Sequence, residues 1–244
     1  MAPAARNNAL WCDAVCRANG APGAFLEPRV WLTRGPAPAF YPNLVTLSAP
    51  GPDRGESLLA PLRSLAAAGL PAGWGAKDSY AGLDLTPLGF RPRFEATWIW
   101  RPPGDAPPAG RGLRWARVLD ATALAAWESA WSDRGEDGGP VPPAAPTFRP
   151  SLLADGTLAF LIAYDGRRPA AGAVATRAAG VVGISNVFAR GVEPQDVWAG
   201  CLRAAGGVFP GAPFAGYESG TDLAVARHVR FEGIGKLRVW LWNE

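Results

Sequence analysis

Few side chains in this sequence can do acid–base or nucleophilic chemistry. His228 is the sole histidine, so any Ser/His/Asp or Cys/His mechanism would have to run through it. It falls late in a helical segment, where a histidine more commonly offsets the helix dipole. Cys12 and Cys16 share a helix face with Trp11 and Val15, and Cys201 lies beside Trp198 and Leu202. All three read as small buried hydrophobes, and none has a ligand spacing, so no metal is expected. Two further polar residues stand out by their position. Glu218 follows a strand over Pro213–Tyr217 and opens the last helix. A carboxylate there can act as a general base, directly or through water, or it can simply favour the helix N-terminus. Asn186 sits inside an otherwise apolar strand, Gly183–Phe188. An amide there is costly unless it positions a substrate, forms a bulge or makes a structural hydrogen bond.

The surrounding pattern supplies the elements that must hold these residues. In the second half, Leu113 to Leu119 alternates as a strand and Asp120 caps a helix over Ala121–Trp131. Leu158–Tyr164 and Ala170–Thr176 form a hairpin around Asp165-Gly166, and Val181–Ala189 is a third strand. Pro194 suits the first position of a helix to about Ala205, Pro213–Tyr217 is a strand, Thr221–Val229 a helix, and Lys236–Trp242 a last strand. The first half reads as a helix around Ala9–Cys16, strands at Phe25–Thr33 and Asn43–Leu47, a helix at Ser57–Ala68, a short helix at Ser79–Leu85, and a strand at Arg93–Trp100.

Composition removes other classes. The chain has 244 residues, 48% of them hydrophobic and 18% charged, ample for a buried core. No apolar run reaches ~18 residues and no apolar leader follows Met1, so neither a membrane partner nor a secretory route is expected, and the cytoplasm is. The net charge is +3 and basic residues are not clustered, so no nucleic-acid partner is expected. The tryptophans Trp98, Trp100, Trp240 and Trp242 alternate along two strands and are expected to pack where domains meet.

The two halves repeat. Lys77 to Leu85 and Gly89-Phe90 align with Glu218 to Ala226 and Arg230-Phe231 at an offset of 141 residues, and each is followed by an aromatic strand, Phe94–Trp100 and Leu237–Trp242. With a Pro/Gly-rich stretch at Arg101–Gly110, this predicts an N-terminal unit over 1–104, a linker over 105–112 and a C-terminal unit over 113–244.

The element order of the second half, with its final short helix and x-Phe turn, resembles the GNAT (GCN5-related N-acetyltransferase) superfamily. That resemblance implies an α/β fold of two GNAT-like units, each a mixed, mostly antiparallel sheet flanked by helices, the first truncated. It implies transfer of an acyl or acetyl group from acetyl-CoA or another acyl-CoA to a small-molecule amine. Glu218 and Asn186 would be catalytic, Tyr217, Ser219 and Asp222 would bind the acceptor, and Val187, Phe188, Ala189, Arg190, Gly191 and Val192 the donor. The family's Arg/Gln-x-x-Gly-x-Gly/Ala phosphate loop is matched only by Arg190-Gly191, followed by Glu193, Pro194 and Asp196, and in the first half only by Arg54-Gly55. The family's proton-donating tyrosine is replaced by Ala226 and Leu85. Weak CoA binding is therefore expected. The alternatives are a donor bound to a carrier protein or tRNA, and a non-catalytic scaffold or ligand-binding protein.

Overall fold

The structure is a computed structural model and describes residues 1–51, 56–105, 107–108, 112–132 and 145–242. The Arg54-Gly55 match lies outside these residues. The chain forms two compact units, Met1–Trp98 with Ile234–Glu244, and Ile99–Gly233. The division departs from the expected 1–104 and 113–244: the last strand belongs to the first unit, and Ile99–Arg101 to the second. Local sequence marks where a strand begins but carries no record of the strand it pairs with.

The first unit runs α1 (Ala2–Ala18), β1 (Ala24–Leu26), β2 (Val30–Leu32), β3 (Leu44–Thr46), α2 (Glu56–Ala67), β4 (Gly75–Asp78), a 3₁₀ turn at Thr86–Leu88 and β5 (Phe90–Arg101). The chain's last strand, β11 (Glu232–Trp242), completes its sheet, in the order β1-β2-β3-β4-β11-β5. β3 and β4 pair in parallel, and β1/β2, β2/β3 and β4/β11 are antiparallel. Helix α1 begins at Ala2 rather than Ala9, because Pro3 fits a first turn and Ala4 and Ala5 are buried. The expected strand Phe25–Thr33 is instead a tight hairpin, turned at Glu27-Pro28-Arg29, where proline removes a ladder donor. The expected helix Ser79–Leu85 does not form: the Asp78 carboxylate takes the Tyr80 and Leu83 N–H groups at 3.1 and 2.8 Å and holds the segment as a turn.

The second unit runs β6 (Leu113–Arg117), α3 (Ala121–Ser132), a 3₁₀ turn at Pro150–Ala154, β7 (Leu158–Asp165), β8 (Arg168–Ala178), β9 (Val181–Ala189), α4 (Pro194–Val208), β10 (Phe214–Glu218) and α5 (Gly220–His228). Its strands lie in the order β10-β9-β8-β7-β6, antiparallel except for parallel β9/β10. The first unit has no counterpart of β6 ahead of its first helix, so it is the truncated one. Asp120 caps α3 through a 2.8 Å bond from the Ala123 N–H, and Pro194 opens α4, as their types require.

The repeat extends to detail. The Phe90 N–H donates to the Leu85 carbonyl at 3.3 Å, and Phe231 to Ala226 at 3.1 Å, the same bond 141 residues on. Gly89 and Arg230, each preceding its phenylalanine, both take left-handed backbone, at φ 89° and 68°. Phe90 packs edge-on to Trp74 and Trp242, and Phe231 to Trp198. Trp98, Trp240 and Trp242, expected where domains meet, are placed inside the first unit. Trp240 and Trp242 join its own apolar core, and buried Trp98 donates to the Ser79 carbonyl at 2.7 Å.

Candidate functional site

The second unit's parallel pair comes apart. β9 and β10 are in register only at Phe214↔Val182 and Ala215↔Gly183. Gly216 still lies close, since a Cβ there would come 2.9 Å from the Ile184 carbonyl oxygen. Beyond it β9 runs to Ala189 and β10 to Glu218 with no further ladder pairs among the described residues. The cause lies in β9. Its register with β8 slips by one residue between Gly172↔Phe188 and Val174↔Ser185. Asn186 occupies that slip with φ 53°. A bulge with a left-handed residue bends and over-twists its strand, and asparagine is among the few non-glycine residues that accept the conformation. Asn186 thus forms the bulge, one of the expectations for this residue. Continuing the register Val182↔Phe214 sets Glu218 level with Asn186, so the two residues expected to be catalytic flank one gap.

Glu218 ends β10; it does not open α5, whose N-cap is Ser219. Its carboxyl is half-buried and makes no hydrogen bond among the described residues. Burial pushes its pKa from 4.5 to about 8, and the like charge of Asp222, in the first turn of α5, pushes the same way. A carboxylate governed by the helix dipole would move in the opposite sense. Tyr217 is half-buried beside Glu218, and Ser219 and Asp222 are exposed at the same strand–helix junction. Ala226, at the position of the family tyrosine, is fully buried.

Val187, Phe188 and Ala189 continue β9 past the bulge. Val187 packs into the unit's core, and Phe188 lies edge-on to Trp127 against Gly172, where a Cβ would meet both rings within 2.7 Å. Arg190, Gly191 and Val192 form the turn into α4, with Gly191 at φ 63°. This turn does not fit the diphosphate of an acyl-CoA. Pro194 has no N–H, the Asp196 and Val197 N–H groups donate to the Glu193 carbonyl at 3.0 and 3.2 Å, and the Glu193 and Asp196 side chains bring negative charge. The Arg190 guanidinium donates to the Ala130 carbonyl on α3.

The first unit is closed at the corresponding place. β3 and β4 pair at Leu44↔Ala76 and Val45↔Lys77, and Val45 and Lys77 stand 141 residues before Asn186 and Glu218. The Thr46 hydroxyl then accepts the Ser79 N–H at 2.8 Å, extending the junction. Lys77 is buried, its ammonium donating to Asn8 Oδ1 at 2.8 Å. The alignment places a lysine opposite Glu218, but its burial against α1 has no signature in the sequence.

Elsewhere, a cavity of about 410 Å³ lies between α3 and residues 145–150, lined by Leu124, Glu128, Phe148 and Arg149 among others, and none of the expected site residues borders it. His228 is exposed in the last turn of α5, and the three cysteines are buried with raised pKa values. Among the described residues no group of three or more His, Cys, Asp or Glu is placed to hold a metal ion, and no helix is long and apolar enough to cross a membrane.

No family model matches this chain, and no curated protein is similar to it. Solved structures are. A GCN5-related N-acetyltransferase from Kribbella flavida is 17% identical with a TM-score of 0.67, over 99% of this chain and 96% of that one. Another from Sphaerobacter thermophilus is 14% identical with a TM-score of 0.51, over 99% and 93%. A tandem GNAT protein from the clavulanic acid biosynthesis pathway is 13% identical with a TM-score of 0.50, over 99% and 95%. The chain therefore has the fold of the GCN5-related N-acetyltransferases, built as two tandem units.

Proposed function

We propose that the second unit is an N-acyltransferase that moves an acyl group from a thioester to a small-molecule amine. The observation that carries this reading is the Glu218 carboxyl, half-buried without a hydrogen-bond partner among the described residues, at the edge of the gap beside the Asn186 bulge. The amine nitrogen attacks the thioester carbonyl, the C–N bond forms, and the C–S bond breaks. Glu218 takes the proton that the amine loses. With a pKa near 8, the same group can return that proton to the departing thiolate, which offsets the absence of a tyrosine at Ala226. The bulge frees β9 backbone from its ladder beside the carbonyl, where N–H groups polarise it. Tyr217, Ser219 and Asp222 line the acceptor side. The first unit, closed at Val45↔Lys77, serves as a non-catalytic companion.

The test is thiol release from an acyl thioester on addition of a panel of amines. Glu218→Gln is expected to lower turnover by ~10²–10⁴-fold and to remove the pH dependence near the carboxyl pKa. Full turnover in that variant would overturn the assignment of Glu218. Absence of amine-dependent release across the panel would overturn the acyltransferase reading.

A further inference from the structure

The turn into α4 carries an inference that rests on the acyltransferase reading and narrows its donor. An acyl-CoA has two dissimilar ends: a neutral pantetheine thioester, and a highly charged adenosine diphosphate. The second unit keeps what the first end needs, an open gap and a bulged β9. It lacks what the second end needs. Pro194 lacks an N–H and the Asp196 N–H is donated to Glu193, so of the first three N–H groups of α4 only that of Gln195 is left among the described residues. Glu193 is the N-cap and Asp196 lies in the first turn, each repelling an anion placed there. Neighbouring cations face carbonyls. Arg190 Nε donates to the Ala130 oxygen, and Arg168 Nη2 reaches the Arg190 oxygen at 3.4 Å.

We propose that the donor is a pantetheine thioester recognised through its acyl and pantetheine portion alone, with no diphosphate seated on α4. The same chemistry can arrive as a small thioester or as the prosthetic arm of a carrier protein.

Calorimetric titration of the intact chain separates these cases without relying on turnover. The probes are acetylpantetheine, acetyl-CoA, ADP and an acetylated phosphopantetheinyl carrier domain. Acetylpantetheine and acetyl-CoA are expected to bind with affinities within about threefold of each other, since the adenosine end adds little against two carboxylates, and ADP is expected not to compete. Tighter binding of the carrier than of acetylpantetheine assigns the arm to a protein, and equal binding assigns it to a small thioester. In the variant Glu193→Gln/Asp196→Asn, acetyl-CoA is expected to gain about 3–30-fold while acetylpantetheine stays unchanged. Acetyl-CoA binding tenfold or more tighter than acetylpantetheine in the wild type, competition by ADP, or no gain in the double variant would each overturn the inference. If neither thioester binds, the acyltransferase reading falls first and takes this one with it.

Discussion

The two units place different residues at one point of the same framework. In the first, Val45 and Lys77 are ladder partners; in the second, Asn186 and Glu218 occupy the equivalent positions and the ladder has ended. Valine is β-branched and cannot take left-handed backbone without strain, so β3 stays regular. Asparagine can, and β9 bulges and departs from β10. Once the strands separate, the residue on the far side no longer needs to be held within the core. Lys77 is buried and held by Asn8, whereas the Glu218 carboxyl has no such partner. One backbone conformation thus separates a closed ladder at Val45↔Lys77 from an open junction at Asn186 and Glu218.

The largest expected effect that tests this contrast is on stability against pH. Glu218 has a native pKa of about 8 against 4.5 for the unperturbed group. Between these values the native state holds a proton that the unfolded chain has lost, so stability falls as pH rises from about 4.5 to 8. Allowing for partial exposure, the loss amounts to roughly 2–4 kcal/mol. Glu218→Gln stays neutral and should match the wild type near pH 5 while exceeding its melting temperature near pH 9. A helix-dipole role would give the reverse, a variant less stable at high pH. Chemical denaturation of both proteins across this range reads the sign directly.

Asn186 offers the next break in the comparison. Asn186→Val imports the first unit's residue into the second. At φ 53° a valine costs about 1–2 kcal/mol, or drives the strand towards a regular ladder that narrows the gap. Either result misplaces the reacting groups, and a misplacement of about 1 Å can cost on the order of 10²-fold in turnover. Asn186→Gly keeps the bulge without the amide. Retained turnover in the glycine variant, with loss in the valine variant, assigns the residue a backbone role. Equal loss in both would show that the amide itself handles substrate.

Local chemistry was legible in the sequence, and partnership was not. Asp120 and Pro194 announce their helices because capping and a missing N–H act within one turn. The match of Phe90 to Phe231 is also readable, since each follows the same turn. The segment after Asp78 misleads because its carboxylate takes backbone N–H groups that a helix would have used. The pattern of Phe25–Thr33 conceals a hairpin because its turn, Glu27-Pro28-Arg29, holds neither glycine nor asparagine. For the site, Glu218 and Asn186 stand out as polar residues in apolar surroundings. A bulge is one of three readings of Asn186, and that it forms is visible only in the slipped register with β8. That β11 completes the first unit's sheet depends on pairing across the length of the chain, which no local signal encodes.

The smallest expected effect concerns the turn that both units share. Gly89 and Arg230 hold left-handed backbone at equivalent positions, but only one is glycine. The first unit needs glycine for a second reason: a Cβ at Gly89 would come within 3.1 Å of the Trp242 ring. Among the described residues no aromatic ring packs on Arg230, and burial first and then the Arg230 charge lower the pKa of the Arg101 guanidinium. Arg230→Gly relieves a left-handed side chain, worth ~1–2 kcal/mol, against the ~0.5–1 kcal/mol that glycine's unfolded-state freedom costs. The net gain should be about 0.5–1 kcal/mol, with like-charge relief at Arg101 in the same direction. Gly89→Ala should lose about 1–2 kcal/mol, from the strained φ and from the displaced indole. The two substitutions therefore move melting temperature in opposite directions at matched positions. If both destabilise, Arg230 makes compensating contacts, and the correspondence between the turns ends at their backbone.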